Sequence, residues 1–99
     1  KEVSVNRAEK YLDLIKRLVS ATENSLELSV IIELIGGDTL SFRALARRLR
    51  VNYKRLDKTL NNLVENGLIE IIFVNVSEHK VYKFYKLRDD VKEVLKRVL

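Results

Sequence analysis

The sequence predicts a mainly α fold carrying a small antiparallel β-hairpin, and three observations lead there. Apolar residues recur at spacings of three and four over most of the chain, the period of helices that each bury one face. Between Leu68 and Leu87 that period breaks into two runs rich in β-branched and aromatic residues, separated by a polar loop. At 99 residues, with 46% apolar and 33% charged side chains, the chain has room for one modest core and not for two.

Composition also removes classes of function. Cysteine is absent and His79 is the only histidine, so a structural zinc site lacks ligands and disulfide or thiol chemistry is excluded. A reducing compartment, the cytoplasm, is the expected setting. No acidic and amide cluster has the spacing of a calcium loop. Asp89 and Asp90 read as helix-start residues rather than an acid–base pair, and no serine has a visible histidine partner. The expectation is therefore no enzyme, no metal and no cofactor. No apolar run approaches the roughly 20 residues that span a bilayer, and no signal peptide is visible. A net charge of +5 and a pI of about 9.6 favour a polyanionic partner. The chain begins at Lys1 rather than methionine, which leaves room for residues upstream.

In order along the chain, residues 1–5 read as a lead. Asn6 and Glu9 have the spacing of a capping box, so a first helix is expected over 6–21. Ala8, Tyr11, Leu12, Ile15, Leu18 and Val19 would share its apolar face, with Lys10, Asp13, Lys16 and Arg17 opposite. Ser25 can cap the next helix, Leu26 to Ile35, whose Leu26, Val30, Ile31, Leu34 and Ile35 form a main stripe with Leu28 and Ile32 outside it. Such a helix belongs between layers, and Gly36 and Gly37 end it. They are no phosphate loop, since no lysine of that motif follows. Thr39 and Leu40 suit a short strand, and Ser41 caps a helix carrying Arg43, Arg47 and Arg48.

The stretch Leu45 to Ile69 has the organisation of a helix-turn-helix. Leu45, Ala46 and Leu49 are the apolar face of its first helix. After Val51, Asn52 caps a second helix striped by Leu56, Leu60 and Leu63, and Gly67 closes it. At about 100° per residue, Lys54, Lys58, Asn61 and Glu65 fall opposite Leu56, Arg55 and Asn62 on one flank and Asp57 on the other. Basic and amide groups thus project from the N-terminal half, the part of a recognition helix that meets base edges.

Two strands follow, Leu68 to Val76 and Lys80 to Leu87, with Ser77, Glu78 and His79 near the tip. Both faces of the hairpin are apolar, which predicts cover on both. The last helix, 89–99, starts with Asp89 as its cap. Its stripe of Val91, Val94, Leu95, Val98 and Leu99 reaches the final residue, as in a helix that pairs with another chain.

Leu45, Ala46, Leu49, Val51, Leu56, Leu60, Leu63, Gly67, Leu68 and Ile69, with VYKFYKL from Val81 to Leu87, resemble the winged helix-turn-helix of small prokaryotic and archaeal transcription regulators, ArsR-like or MarR-like. The resemblance implies one domain: an N-terminal helix at 6–21, a winged core at 26–87 and a C-terminal helix at 89–99. It implies a homodimer, built here mainly from 8–19 and 91–99, that binds double-stranded DNA at an inverted repeat in the cytoplasm, associated with the nucleoid. Lys54, Arg55 and Lys58 would enter the major groove, with Tyr53 and Asn61 at its edges. Ser41, Arg43 and Asn52 would hold phosphate, and His79 and Lys80 would reach from the wing. Two positions depart from the pattern. Arg50 stands where the family usually has glycine, and Asp57 puts a carboxylate among the expected DNA contacts, free to accept from cytosine or to pair with Lys54 or Lys58. Asp57, Glu78 and the surplus apolar surface suit the alternative, a winged-helix protein-interaction module of a larger transcription, replication or membrane-remodelling assembly.

Overall fold

A computed structural model describes the backbone of residues 2–98 and the side-chain surroundings of residues 9–97. The elements are α1 (Glu2–Thr22), α2 (Ser25–Gly37), β1 (Thr39–Ser41), α3 (Phe42–Leu49), α4 (Tyr53–Glu65), β2 (Ile69–Ser77), β3 (Lys80–Leu87) and α5 (Asp89–Val98).

Side-chain caps write the helix boundaries, each contributing about 1 kcal/mol. Asn24, not Ser25, caps α2: its Oδ1 accepts from the Leu26 and Glu27 amides at 3.0 and 3.1 Å. One residue earlier, the amide oxygen satisfies two orphan donors at once. Ser41 caps α3 through the Ala44 amide, and Asn52 caps α4 through that of Arg55, both as the sequence predicts. Three expectations give way. Helix α1 starts at Glu2, so residues 2–5 are helical and Asn6 lies inside the helix. Helix α2 includes both glycines and turns at Asp38, whose φ is 65°. Asp89 is the first residue of α5 rather than its cap, and its carboxylate meets Lys86 Nζ at 3.5 Å.

The core takes one side of every helix. Leu45 and Ala46 of α3, Leu56, Leu60 and Leu63 of α4, and Val30, Ile31 and Leu34 of α2 are buried together with Leu68, Ile69, Tyr85 and Leu87 of the sheet end. Three helices use their apolar residues differently from what the stripes predict. On α1 the inward residues are Tyr11, Leu14, Leu18 and Ala21, at spacings of three and four, while Leu12, Ile15 and Val19 face out. The helix has two apolar stripes, and packing selected the one centred on Leu14. On α5, Val91 and Val94 are buried in this chain's own core with Leu95 packed beside them, so much of the stripe assigned to a second subunit is consumed within the chain. Ala8, Val98 and Leu99 lie outside the described side chains. Helix α2 is not enclosed all round either, since Ile32 and Ile35 are exposed.

The sheet has the order β1-β3-β2, all antiparallel. Tyr85 pairs with Leu40 on one side and Ile71 on the other, which ties the short strand and the hairpin to the core at one rung. Burial falls away along the hairpin. Ile69, Tyr85 and Leu87 are inside, whereas Phe73, Val76 and Val81 are more than half exposed, at 62, 55 and 54%. Among the described residues, the predicted cover on both faces does not extend past the base of the hairpin, which projects as a wing. Three helices, a strand-tethered hairpin and an added helix at each end make a winged helix-turn-helix.

Candidate nucleic-acid interface

The second helix of the helix-turn-helix, α4, is oriented from inside. With Leu56, Leu60 and Leu63 fully buried and Thr59 nearly so, α4 can rotate little, and its other side must meet solvent. Lys54, Arg55, Lys58 and Asn61 are all exposed there. None of the ion pairs among the described residues uses Lys54, Arg55 or Lys58. These are charges held on an anchored helix with no salt-bridge partner among the described residues.

The turn before α4, like the Asp38 turn after α2, accepts backbone strain. Arg50 adopts φ 54° and ψ 46°, the left-handed conformation that usually calls for glycine. Asn52 is exposed, and its Oδ1 is occupied by the Arg55 amide at 2.8 Å, while its Nδ2 has no hydrogen-bond partner among the described residues. Tyr53, the first residue of α4, is 58% exposed and meets Phe42 edge-on, with centroids 5.3 Å apart and planes at 84°. That contact fixes the start of α4 against the start of α3.

A groove of about 670 Å³ runs between α3, the first turns of α4 and strand β3. Ser41, Arg43, Tyr53 and Asp57 line it, so the structure brings these together. Asp57 therefore faces the wing side of the helix. Its Oδ2 accepts from Asn61 Nδ2 at 3.5 Å, and it forms no ion pair with Lys54 or Lys58. Burial first, and then the nearby Asp57 charge, push the Tyr85 hydroxyl above its usual pKa. His79 and Lys80 are exposed at the hairpin turn, with the His79 amide directed at Ser77 Oγ at 3.4 Å. They stand apart from the groove, whose strand wall is Val81 to Phe84.

Arg47, Tyr82 and Lys83 also line the groove and were not among the expected DNA contacts. Arg47 stands one turn after Arg43, a signal the sequence did contain. Tyr82 and Lys83 could not be ranked above other strand residues until the wing's direction was known. Arg48 turns away and pairs with Glu33 at 3.3 Å. No group of acidic or histidine side chains among the described residues could hold a metal ion. No helix among them is long and apolar enough to cross a membrane.

No protein-family model matches the chain, and no curated protein matches it. Solved structures do. The transcriptional regulator HlyU from Vibrio vulnificus superposes with a TM-score of 0.68 at 22% identity, over 96% of this chain and 94% of that one. The homodimeric winged helix-turn-helix DNA-binding domain of Mb0332 from Mycobacterium bovis, a possible ArsR-family transcriptional regulator, gives 0.67 at 24% identity, over 93 and 81%. The transcriptional repressor BigR from Xylella fastidiosa gives 0.65 at 21%, over 98 and 90%. At these identities the likeness establishes the winged helix-turn-helix fold.

Proposed function

We propose that this chain is a non-enzymatic, ArsR-like transcription regulator that binds a specific double-stranded DNA sequence as a homodimer in the cytoplasm. The observation that carries this reading is the outer face of α4, where Lys54, Arg55 and Lys58 stand exposed with no ion-pair partner among the described residues. Basic side chains on the N-terminal half of a recognition helix neutralise phosphate and reach base edges in the major groove. Asn52 supplies a free amide donor at the same helix start, and Ser41, Arg43, Tyr53 and Asn61 extend the surface sideways. His79 and Lys80 reach the flanking backbone from the wing tip. The similar structures are named as regulators or repressors, and one as a homodimeric DNA-binding domain, which supports the same reading.

The dimer is proposed on a revised surface. Leu12, Ile15 and Val19 on α1, with Ile32 and Ile35 on the adjoining α2, are 40–58% exposed. Apolar surface on this scale is characteristic of an interface. A second reading draws on the wing. Ile72, Phe73, Val74, Val76, Val81 and Tyr82 are exposed and apolar, and a surface of that kind suits a protein partner better than phosphate.

Gel shift on a pool of random duplexes at two salt concentrations tests the first reading. Binding that weakens steeply with salt, with a subset of sequences retained at the higher concentration, is expected. Equal, weak retention of every duplex would transfer the α4 face to the protein-interaction reading.

A further inference from the structure

The groove between α3, α4 and β3 has a composition that duplex recognition does not require. Its walls hold four aromatic rings, those of Phe42, Tyr53, Tyr82 and Phe84. Phe42 and Tyr53 are locked together edge to face on the helical side, and Tyr82 and Phe84 stand two residues apart on the strand side. Flat aromatic surface flanking an open cleft favours a planar ring system.

The charges specify the ligand further. Arg43, Arg47 and Lys83 border the cleft, and none of the ion pairs among the described residues involves them. Three cations against one carboxylate call for an anionic group, and two arginines one helical turn apart suit phosphate. The carboxylate of Asp57 would repel a simple aromatic acid. Beyond the long 3.5 Å bond that Oδ2 takes from Asn61, the carboxylate keeps lone pairs on both oxygens, and these suit a ring that presents two N–H donors side by side along one edge. Guanine has that edge, with N1–H and the N2 amino group adjacent. At about 670 Å³ the groove falls within the size range of small-ligand sites.

We propose that this groove binds a nucleotide, with its base stacked among the aromatic rings, its phosphate at Arg43, Arg47 and Lys83, and a guanine-type edge on Asp57. The nucleotide can arrive free or as an unpaired residue of a strand. Ser41, Arg43 and Tyr53 also belong to the duplex surface proposed above, so the bound nucleotide and a duplex compete; that half of the inference rests on the duplex reading.

Calorimetric titration of the whole chain with guanosine 5′-monophosphate, without DNA, tests the site independently of that reading. Saturable binding is expected, with ribose 5-phosphate at least tenfold weaker and inosine 5′-monophosphate, which lacks the N2 amino group, in between. Arg47→Ala and Tyr82→Ala alter exposed side chains and should each weaken the guanine nucleotide about tenfold. Asp57→Asn should abolish its advantage over the inosine nucleotide. If the free nucleotide fails to bind but a short single strand containing one guanine binds with the same dependence on Arg47, Tyr82 and Asp57, the source is a strand. Ribose phosphate equal to the nucleotide, indifference to these three substitutions, or no binding by either ligand overturns the site. A nucleotide that saturates the groove without displacing a bound duplex overturns the competition alone.

Discussion

Arg17 of α1 donates from Nη1 to the main-chain carbonyl of Asn66, 2.7 Å away and 49 residues later in the chain. Asn66 is the C-cap of α4, so a cation from the first helix meets the negative end of that helix. Asp13 holds the same guanidinium at 3.1 Å, while the Arg17 Nε is buried without a hydrogen-bond partner among the described residues. Gly67 completes the arrangement. Its φ is 71°, and a Cβ there would stand 2.8 Å from Arg17 Nη1. Arg17→Met should therefore lower stability by about 1 kcal/mol, as expected for a half-exposed charged hydrogen bond. Gly67→Ala should cost about 1 kcal/mol or more through backbone strain and the clash together. Combined, the two should cost less than their sum, because the methionine removes the clashing nitrogen. Urea denaturation of the four proteins measures this; strict additivity would refute the link.

Arg50 offers the opposite prediction. An L-residue in the left-handed region carries a penalty of roughly 1–2 kcal/mol that glycine avoids, partly offset by glycine's greater unfolded-state entropy. Arg50→Gly should raise stability by up to about 1 kcal/mol. A lower denaturation midpoint would mean that the exposed arginine side chain makes a contribution larger than its strained backbone costs.

The legible parts of this molecule were those fixed by local chemistry. Ser41 and Asn52 cap as their sequence context requires, Gly67 turns the chain, and the α4 stripe of Leu56, Leu60 and Leu63 is buried as its spacing implies. Errors arose where two local answers were nearly equal. Helix α1 has apolar residues on two sides, and only the position of α2 and α5 decides that Leu14 goes in while Leu12 stays out. Asn24 and Ser25 are both competent caps, and the one reaching two amides won. The groove was illegible for a different reason. It joins Arg43 to Tyr82 and Lys83 across long sequence separations, and only the wing's direction brings them together.

Acid and alkali should loosen different ties. Asp38 pairs with Lys92 of α5, and that hydrogen bond, with the Lys92 charge, holds its carboxyl below the usual range. A folded pKa below the unfolded one stabilises above about pH 4 and is lost as pH falls through the folded value. Lys86 behaves inversely. Its hydrogen bond to Glu70 and the Asp89 charge raise it above the usual lysine value. That stabilisation is complete below about pH 10.4 and disappears as pH rises through the raised value. Both groups sit at the surface, so the effects are small. Asp38→Asn should flatten the acid limb of melting temperature against pH and leave the alkaline limb unchanged, and Lys86→Met should do the reverse.

Oligomeric state should follow the outward stripe of α1. Val19→Glu combined with Ile32→Glu changes side chains that are 56 and 57% exposed in the isolated chain, so folding should be retained. Light scattering should show a dimer for the native chain and a monomer for the double variant. Leu95→Glu is a poor substitute, because Leu95 packs on the chain's own core and its replacement would destabilise the fold as well. A native chain that is monomeric at micromolar concentration excludes this dimer.

Reading of DNA should divide between Arg55 and Lys58. A dimer with two recognition helices should prefer an inverted repeat with half-site centres about 34–36 Å apart. Arg55 has the planar fork that matches guanine in the major groove, so Arg55→Ala should cost roughly 1–3 kcal/mol per half-site contact and relax the preference at one base pair. Lys58 presents a point charge suited to phosphate. Lys58→Ala should weaken all sequences alike and reduce the salt slope by about one for each contact removed. Asp57 separates duplex reading from the groove. It faces the wing side and is tied to Asn61, so Asp57→Asn should strengthen binding to every duplex by removing a repulsive charge. If the same substitution instead relaxes the preference at a cytosine, Asp57 reads a base edge in the duplex and its place in the nucleotide groove must be reconsidered. Binding isotherms at three salt concentrations, on the selected sequence and on scrambled controls, separate these outcomes. Arg55 and Lys58 variants with identical slopes and identical sequence preferences would leave α4 without a reading role and favour the wing as the functional surface.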